Sequence, residues 1–261
     1  MTGQLPRWRD RLCPVARGLS PAFNEFIAAR ILAIAASVGA PHETEEHCKP
    51  NALIFFTTEP QRQIAELVKW DPQALGFRYP RQTRGSLSAT QPIQGWYVTA
   101  TEADNGAIQV DLANPLNVSA DPPAAIGMGS GTLNSPTPPG AGTRLTTGRN
   151  SLLVHVAVVA DTRALNGRTI GSVSDYLAML VLSQANLQGL CSPLPSILDL
   201  MSSECGDRNK PDAVTAGDLA FLRALYSTDL RESLALEQSD ILNNMKRQFR
   251  MLSAVADATK H

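Results

Sequence analysis

S-V-S-D-Y-L-A-M-L-V-L-S-Q (172–184) opens the part of the sequence that decides the fold. Apolar residues recur in it at i, i+4, i+7 and i+8, which is the spacing of one helix face, and Ser172 or Ser174 can cap the start of the helix. The next segment, C-S-P-L-P-S-I-L-D-L-M-S-S-E-C (191–205), is a short apolar run enclosed by prolines and cysteines. This pattern predicts a tight, buried turn.

A second helix is predicted after the turn, in V-T-A-G-D-L-A-F-L-R-A-L-Y-S-T-D-L-R (214–231). Thr215 is its expected N-cap, and Asp218 is the acidic third residue of a capping box, in which each side chain binds the backbone N–H of the other. Its inner face is lined by Leu219, Leu222, Leu225 and Tyr226. The order along the chain is therefore helix, buried turn, helix.

This order resembles the C-terminal half of the metzincin-type zinc proteases, especially the matrixin-like ones. In that family a zinc-binding helix precedes an S-I-M-x-Y-like Met-turn and then a T/S-x-x-D-x-x-x-L-x-x-L-Y helix. The Met-turn position is held here by Ser196, Ile197, Leu198, Asp199 and Leu200, with Leu198 at the Met position and Met201 nearby. The closing helix matches at Thr215, Asp218, Leu222, Leu225 and Tyr226. The resemblance covers roughly a quarter of the chain by motif.

The zinc-binding residues of the family are absent from the first helix. Metzincins carry H-E-x-x-H there, whereas this sequence has Asp175 and Met179 at the two His positions and Tyr176 at the Glu position. A carboxylate and a thioether one turn apart cannot replace two imidazole ligands of zinc. The resemblance therefore implies a degenerate zincin-like domain, as in uncharacterised bacterial-type exported proteins, with no catalytic residue, no metal and no cofactor.

The histidines provide no second zinc motif. They are His42, His47, His155 and His261. In H-E-T-E-E-H (42–47) one extra residue would rotate the second imidazole by about 100° on a helix, away from the face of the first. We expect a solvated acidic loop there, with a weak metal site as the alternative. His155 lies among valines and is expected to be a hydrogen-bonded interior residue.

The composition indicates a globular chain without a strong electric field. Of the 261 residues, 43% are hydrophobic, which suffices for a buried core in one large or two small domains. A formal net charge of −1 and a pI near 6.4 would not attract polyanions, so nucleic acid is not an expected partner. No apolar run approaches the roughly 20 residues of a membrane-spanning helix, and no membrane-spanning segment is predicted.

The four cysteines determine the expected compartment. Cys13 with Cys48, and Cys191 with Cys205, each enclose one predicted structural unit, and neither pair has C-x-x-C spacing. Three connectivities are possible. We expect two disulfides in this sequential pairing, with four unpaired buried thiols as the alternative. Disulfides imply a periplasmic or secreted protein, although charges interrupt the N-terminal residues and no signal peptide is recognisable, so an upstream export signal is expected.

The remaining sequence predicts an α+β fold with a zincin-like mixed sheet and packed helices. Helices are predicted at 23–39, 61–69 and 236–256, strands at 52–58 and 151–161, and a β-hairpin within 84–110. The last helix is expected to direct one side inward, with Ile241, Leu242, Met245, Phe249 and Leu252.

Three parts of the chain are predicted. Residues 1–19 are an N-terminal segment tied by Cys13, residues 20–231 are a single zincin-like domain, and residues 232–261 are a C-terminal helix. Within the domain, residues 113–150 are rich in Pro, Gly, Ser and Thr and are interpreted as one long flexible insertion.

Two functions of different classes are compatible with these features. The first is a non-catalytic, exported, zincin-like domain that binds an unknown protein or peptide partner or has a structural role. The alternative is a peptidase-like hydrolase with a non-standard site in the cleft between the 172–184 helix and the 196–200 turn. Its acid and base would come from carboxylates that could converge there: Asp161, Asp175, Asp199 and Asp218.

The contents of that cleft distinguish the two hypotheses. A cleft filled by Tyr176, Met179 and Leu198 would favour the non-catalytic domain. An open cleft with converging polar groups would favour the hydrolase. Capping and turn roles explain Asp161, Asp199 and Asp218 equally well.

Overall fold

A mixed β-sheet forms the centre of the protein. The computed structural model describes residues 4–45, 48–77, 87–103, 106–111, 126–127, 149–185, 191, 194–206, 210–229 and 233–258. Within these residues, seven strands join in one sheet: β1 (Arg7–Trp8), β2 (Pro14–Arg17), β3 (Ala52–Thr57), β4 (Ile93–Ala103), β5 (Ile108–Asp111), β6 (Ile126–Gly127) and β7 (Arg149–Asp161).

The longest strand, β7, lies in the middle of the sheet. The strand order is β2-β3-β7-β4-β5-β6, and β1 pairs with the first half of β7. β2, β3 and β7 are parallel, whereas β4 is antiparallel to β7 and to β5. A strand that is covered on both faces reads as a continuous apolar run, which is the pattern of residues 151–161. The predicted α+β fold with a mixed sheet is confirmed.

Two helices, α1 (Pro21–Val38) and α3 (Ile170–Leu182), pack together on one face of the sheet. They meet alternate residues of the central strands, because successive side chains of a strand point to opposite faces. The core on this side includes Ile27, Ile31, Ile34, Ile54, Val156, Val158, Leu177 and Leu180. Almost every residue of α3 is buried, so this helix lies at the centre of the fold.

The first helix, α1, is also the one described helix that is long and apolar enough to cross a membrane, with a mean hydropathy of 1.3. This was not predicted from the sequence. Its buried residues contact α3 and the sheet, as in a core helix, while Phe23 and Phe26 are about half exposed. Gly39 ends α1 in the left-handed region at φ 77°, and its N–H binds the carbonyls of Ala35 and Ala36.

The opposite face of the sheet carries α2 (Pro60–Trp70). Its buried residues Ile64 and Leu67 pack against Ala157 and Val159 of β7. The central strands therefore lie between two helical layers over part of their length.

The C-terminal helices are α4 (Ala216–Ser227) and α5 (Leu234–Ala258), which pack on each other. Ile241 is buried between them and Met245 packs nearby, as predicted. Leu242 and Phe249 were also predicted to point inward, but they are 56% and 37% exposed. Apolar residues cover a wider face of α5 than the face that packs on α4. Their spacing alone therefore predicts more buried residues in α5 than the structure has.

The N-terminal segment and α5 are joined by a buried ion pair. Arg7 donates to Glu237 at 2.5 Å, and the two side chains are almost inaccessible to solvent. The guanidinium also donates to the carbonyls of Leu225 and Thr228, and the Leu5 N–H donates to Glu237. Residues 1–19 thus contribute β1 and β2 to the sheet and also hold the start of α5.

The start of α3 differs from the prediction. Thr169 is the N-cap and accepts a hydrogen bond from the Ser172 N–H, so the cap lies three residues before Ser172, the earlier of the two expected caps. Ser172 and Ser174 lie inside the helix and donate to the carbonyls of Thr169 and Ile170. The apolar spacing that indicates the helix begins only at Val173, and it therefore gives no sign of a cap at Thr169.

Several predictions fall on residues that are not described. His47, His261 and most of the predicted insertion at 113–150 are outside the described ranges. Within 113–150, β6 pairs with β5 and the last two residues begin β7.

Candidate functional site

The segment that resembles a Met-turn forms a short 3-10 helix, Ile197–Met201, clamped to α4. Ser196 caps it in a capping box with Asp199. The Ser196 hydroxyl and the Ile197 N–H both donate to the buried carboxylate of Asp218, at 2.6 and 2.9 Å. Asp218 also accepts from Thr215 in the predicted capping box of α4, which is confirmed. One carboxylate therefore fixes both the turn and the start of the next helix.

The carboxyl end of α3 is closed by side-chain donors. The last four carbonyls of a helix have no partner within the helix and must find one elsewhere. Three carbonyls at this end accept from distant side chains: Leu180 from Tyr97 at 3.0 Å, Val181 from Trp8 at 2.7 Å and Leu182 from Tyr226 at 2.8 Å. The Met179 carbonyl accepts from both the backbone N–H and the hydroxyl of Ser183. Burial raises the pKa of the Tyr97 and Tyr226 phenols, which keeps them as donors.

Asp175, which stands at the first His position in the resemblance to metzincins, is a structural anchor. Arg30 of α1 donates to its two oxygens at 2.6 and 3.0 Å, and the Val214 N–H donates to it at 2.8 Å. The Asp175 side chain is 2% exposed, and Arg30 is 41% exposed. The hydrogen bonds that Arg30 donates to Asp175 raise the pKa of the guanidinium. The carboxylate thus joins α1, α3 and the segment before α4.

The other two degenerate positions differ in surroundings. Tyr176 is buried in the core beside α1 and the sheet, and burial raises the pKa of its phenol. Met179, one turn further on, is buried from bulk solvent but lines an open cleft. The structure therefore brings only one of the three positions to a cavity.

That cavity lies between the carboxyl end of α3, the Ser196 turn and the C-terminal helices, and we call it the Met179 cleft. Its volume is about 480 Å³. Its apolar lining includes Met179, Leu194, Leu198, Phe221, Leu225 and Met245. Leu5 and Pro6 complete the wall next to α5. The cleft lies where the sequence predicts one, but it is both open and apolar, a combination that neither hypothesis describes.

The buried polar groups that line the cleft are committed to internal hydrogen bonds. Ser183 donates its hydroxyl to the Met179 carbonyl, and Ser196 donates to Asp218. The two oxygens of Asp218 accept hydrogen bonds from the Ser196 hydroxyl and from the N–H groups of Ile197 and Thr215. None of these three side chains is arranged to activate a water molecule or a substrate carbonyl.

Of the four aspartates that could have converged, Asp199 and Asp218 both bind Ser196, whereas Asp161 and Asp175 pair with arginines elsewhere. Asp161 ends β7 and pairs with Arg163 at 2.7 Å, which lowers the pKa of its carboxyl. Asp199 accepts from the Ser196 N–H at 3.1 Å. No three of the four carboxylates lie within 4.8 Å of one another. Their capping and anchoring roles explain their presence without catalysis.

The cysteine pairing predicted from the sequence is confirmed. Cys13 is bonded to Cys48, and Cys191 is bonded to Cys205. The second disulfide encloses the 3-10 helix that lines the Met179 cleft, and the first joins the β2 entry to the loop before β3.

His155 lines a second cavity of about 610 Å³ on the α2 side of the sheet. The ring has a hydrogen bond with the Ala74 backbone, as expected for a hydrogen-bonded histidine, but its buried Nδ1 atom has no hydrogen-bond partner. Burial lowers the pKa of the ring, although the nearby Asp71 and the Ala74 backbone raise it. His42 shares a hydrogen bond of 2.9 Å with the Ala40 carbonyl.

Comparison with family models, curated proteins and solved structures finds no significant match for this chain.

Several residues of the site could not have been found from the sequence. Trp8 and Tyr97 reach the end of α3 from strands that are far away in the chain. Leu5 and Met245 both line the cleft, although they come from opposite ends of the chain. The Ser196 turn was recognisable because its cap and its clamp at Asp218 are both encoded within a short stretch.

Proposed function

We propose that this protein is a non-catalytic, zincin-like binding domain whose Met179 cleft holds an apolar segment of a protein or peptide partner. The lining of the cleft is the observation that carries the proposal. Its volume of about 480 Å³ lies within the roughly 300–1,000 Å³ of ligand pockets. Met179, Leu198 and Met245 supply flexible or apolar contacts, and thioether side chains adapt to ligands of different shape.

A catalytic role is not favoured by the groups around the cleft. A general acid or base must reach the reacting group with a suitable pKa. Asp175 is instead held by Arg30, and Asp218 accepts hydrogen bonds from Ser196, Ile197 and Thr215. The residues that resemble family positions thus support the fold instead of providing chemistry.

The order of elements supports the zincin-like part of the proposal. Strand β7 leads through a short loop into α3, and α3 is followed by the Ser196 turn and α4. In active metzincins the Met-turn forms an apolar floor beneath the metal. The corresponding turn here supplies Leu198 to an apolar cleft instead.

Export is also part of the proposal. The two disulfides are compatible with an oxidising compartment outside the cytoplasm, where such bonds form and persist. Peptide mapping without reductant, on protein recovered from its natural host, tests this: free thiols at both pairs would contradict export.

A neutral apolar fluorophore, N-phenyl-1-naphthylamine, tests ligand binding. We expect saturable binding of one molecule per chain, and displacement by a capped peptide of leucine and phenylalanine. Ala185→Phe places a large side chain in the cleft and should weaken binding at least ten-fold. Ala33→Phe, on the exposed side of α1, is the matched control because it adds the same group away from the cleft.

Two results would contradict the proposal. Binding that is unchanged in Ala185→Phe but altered in Ala33→Phe would place the ligand on α1. Cleavage of the peptide by the purified protein, seen by mass spectrometry and lost in Asp218→Asn with the fold retained, would support the hydrolase.

A further inference from the structure

Three metal-ligating side chains meet beside the 3-10 helix Ile197–Met201. The sulfurs of Cys191 and Cys205 and a carboxylate oxygen of Asp199 lie within 4.8 Å of one another. Among the described residues, this is the one group of three or more His, Cys, Asp or Glu side chains with that proximity. The group contains no histidine and does not involve α3.

We propose that the reduced chain binds one zinc-like divalent cation through Cys191, Cys205 and Asp199, in place of the disulfide. Tetrahedral zinc with bonds of about 2.3 Å to sulfur and about 2.0–2.2 Å to oxygen keeps its ligand atoms roughly 3.5–3.8 Å apart. In the oxidised chain the two sulfurs are bonded to each other, and the Asp199 carboxylate lies within 4.8 Å of both. Reduction frees the sulfurs to move apart by side-chain rotation to the spacing that a tetrahedral cation needs. A water molecule completes the fourth position.

Asp199 is held beside the two sulfurs by its place in the 3-10 helix. The residue is 7% exposed, and its position is set by the capping box with Ser196. A carboxylate has about four acceptor positions, so the bond from the Ser196 N–H is compatible with coordination of a metal. Cys205 is buried, whereas Cys191 is partly exposed and provides access from solvent.

The chemistry has two balanced steps. In the first, tris(2-carboxyethyl)phosphine cleaves the S–S bond, and water supplies an oxygen atom and two protons. The phosphine becomes its oxide and two thiols form. In the second, the cation displaces one proton from each thiol, because thiolates are the ligands, and both protons pass to the buffer. A newly made chain reaches the second step without the first.

Cobalt(II) provides the test because its bonds to thiolates give a charge-transfer band in the near ultraviolet. The full chain is reduced with the phosphine, desalted without oxygen and titrated with cobalt(II). We expect the band to saturate at one cobalt per chain and to disappear when one equivalent of zinc is added. The oxidised chain should give no band.

Variants identify the ligands. The double variant C191S/C205S should lose the band, whereas C13S/C48S, which removes the other cysteine pair, should retain it. Asp199→Asn keeps a helix-capping side chain but loses the charge, and should weaken cobalt binding at least about ten-fold, since even outer-shell groups are worth 10–100-fold. Its melting temperature in the oxidised form shows whether the fold is intact.

Three outcomes would overturn the proposal. The first is a reduced wild-type chain without a band. The second is a band that persists in C191S/C205S and is lost in C13S/C48S. The third is a folded Asp199→Asn variant with unchanged affinity, which would remove the carboxylate from the site.

Discussion

Arg30 of α1 and Asp175 of α3 form a two-point ion pair, with N–O distances of 2.6 and 3.0 Å, across the main helix contact of the domain. Asp175 is buried and also accepts from the Val214 N–H. Asp175, which stands at the first His position in the resemblance to metzincins, therefore connects α1, α3 and the segment before α4.

Asp175→Asn should destabilise the protein clearly. The substitution removes a buried charge and leaves Arg30 without its partner. Breaking a buried pair costs about 3–5 kcal/mol, and the partial exposure of Arg30 reduces this to about 2–4 kcal/mol. Urea unfolding measures the change in the free energy of unfolding. Asp161→Asn, in the more exposed pair with Arg163, is the control and should cost less than about 1 kcal/mol. Equal costs would refute the junction role of Asp175.

The sequence was informative wherever the determining residues are close in the chain. Thr215 and Asp218 were recognisable as a capping box from their three-residue spacing, and the structure has both bonds. The run at 151–161 identified the central strand from its composition alone. Local hydrogen bonds and periodic burial leave a pattern that can be read without knowing the fold.

Contacts between distant segments left no such pattern. Nothing near Asp175 in the sequence indicates that Arg30, 145 residues earlier, is its partner. The carbonyl end of α3 is likewise closed by Trp8 and Tyr97, which are ordinary strand residues by sequence. The Met179 cleft was anticipated between two neighbouring elements, but the contribution of Met245 depends on how α5 folds back.

Tyr226→Phe should weaken the closed end of α3. The variant keeps the ring but removes the 2.8 Å hydrogen bond to the Leu182 carbonyl. A buried carbonyl left without a donor costs about 1–3 kcal/mol. Amide hydrogen exchange should show faster opening of the last turn of α3, together with a lower free energy of unfolding. A variant as stable as the wild type, with unchanged exchange, would show that water replaces the phenol.

His155 should make stability depend on pH. Burial lowers its pKa in the folded protein, so the unfolded chain takes up a proton first as the pH falls. The free energy of unfolding should therefore be highest above the ordinary pKa of about 6.5 and should decrease between that value and the lower folded pKa. His155→Gln should flatten this decrease. Denaturation at a series of pH values measures it, and an unchanged profile in the variant would assign the dependence to other groups.

The oxidised protein should hold no stoichiometric zinc. Asp175 is occupied by Arg30 and Val214, and the Met179 thioether faces an apolar cleft, so α3 lacks the nitrogen ligands that catalytic zinc requires. Elemental analysis after refolding with zinc, without reductant, measures the metal content. One zinc per oxidised chain would contradict the non-catalytic proposal, and its loss in His42→Ala would locate it in the 42–47 segment.

The two disulfides should contribute comparable stability but affect different parts of the molecule. Closing a loop of about 15 residues restricts the unfolded chain by about 3 kcal/mol, and a loop of about 36 residues by about 4 kcal/mol. The Cys191–Cys205 bond spans 14 positions and the Cys13–Cys48 bond spans 35. Loop entropy alone therefore predicts the larger loss of stability for C13S/C48S.

Only C191S/C205S releases the turn that carries Leu198, so it should also weaken binding of the apolar fluorophore, whereas C13S/C48S should leave that binding unchanged. Urea unfolding and fluorophore titration of both double variants measure the two effects. Equal weakening of binding by both variants would show that the disulfide at the turn has no specific role in shaping the Met179 cleft.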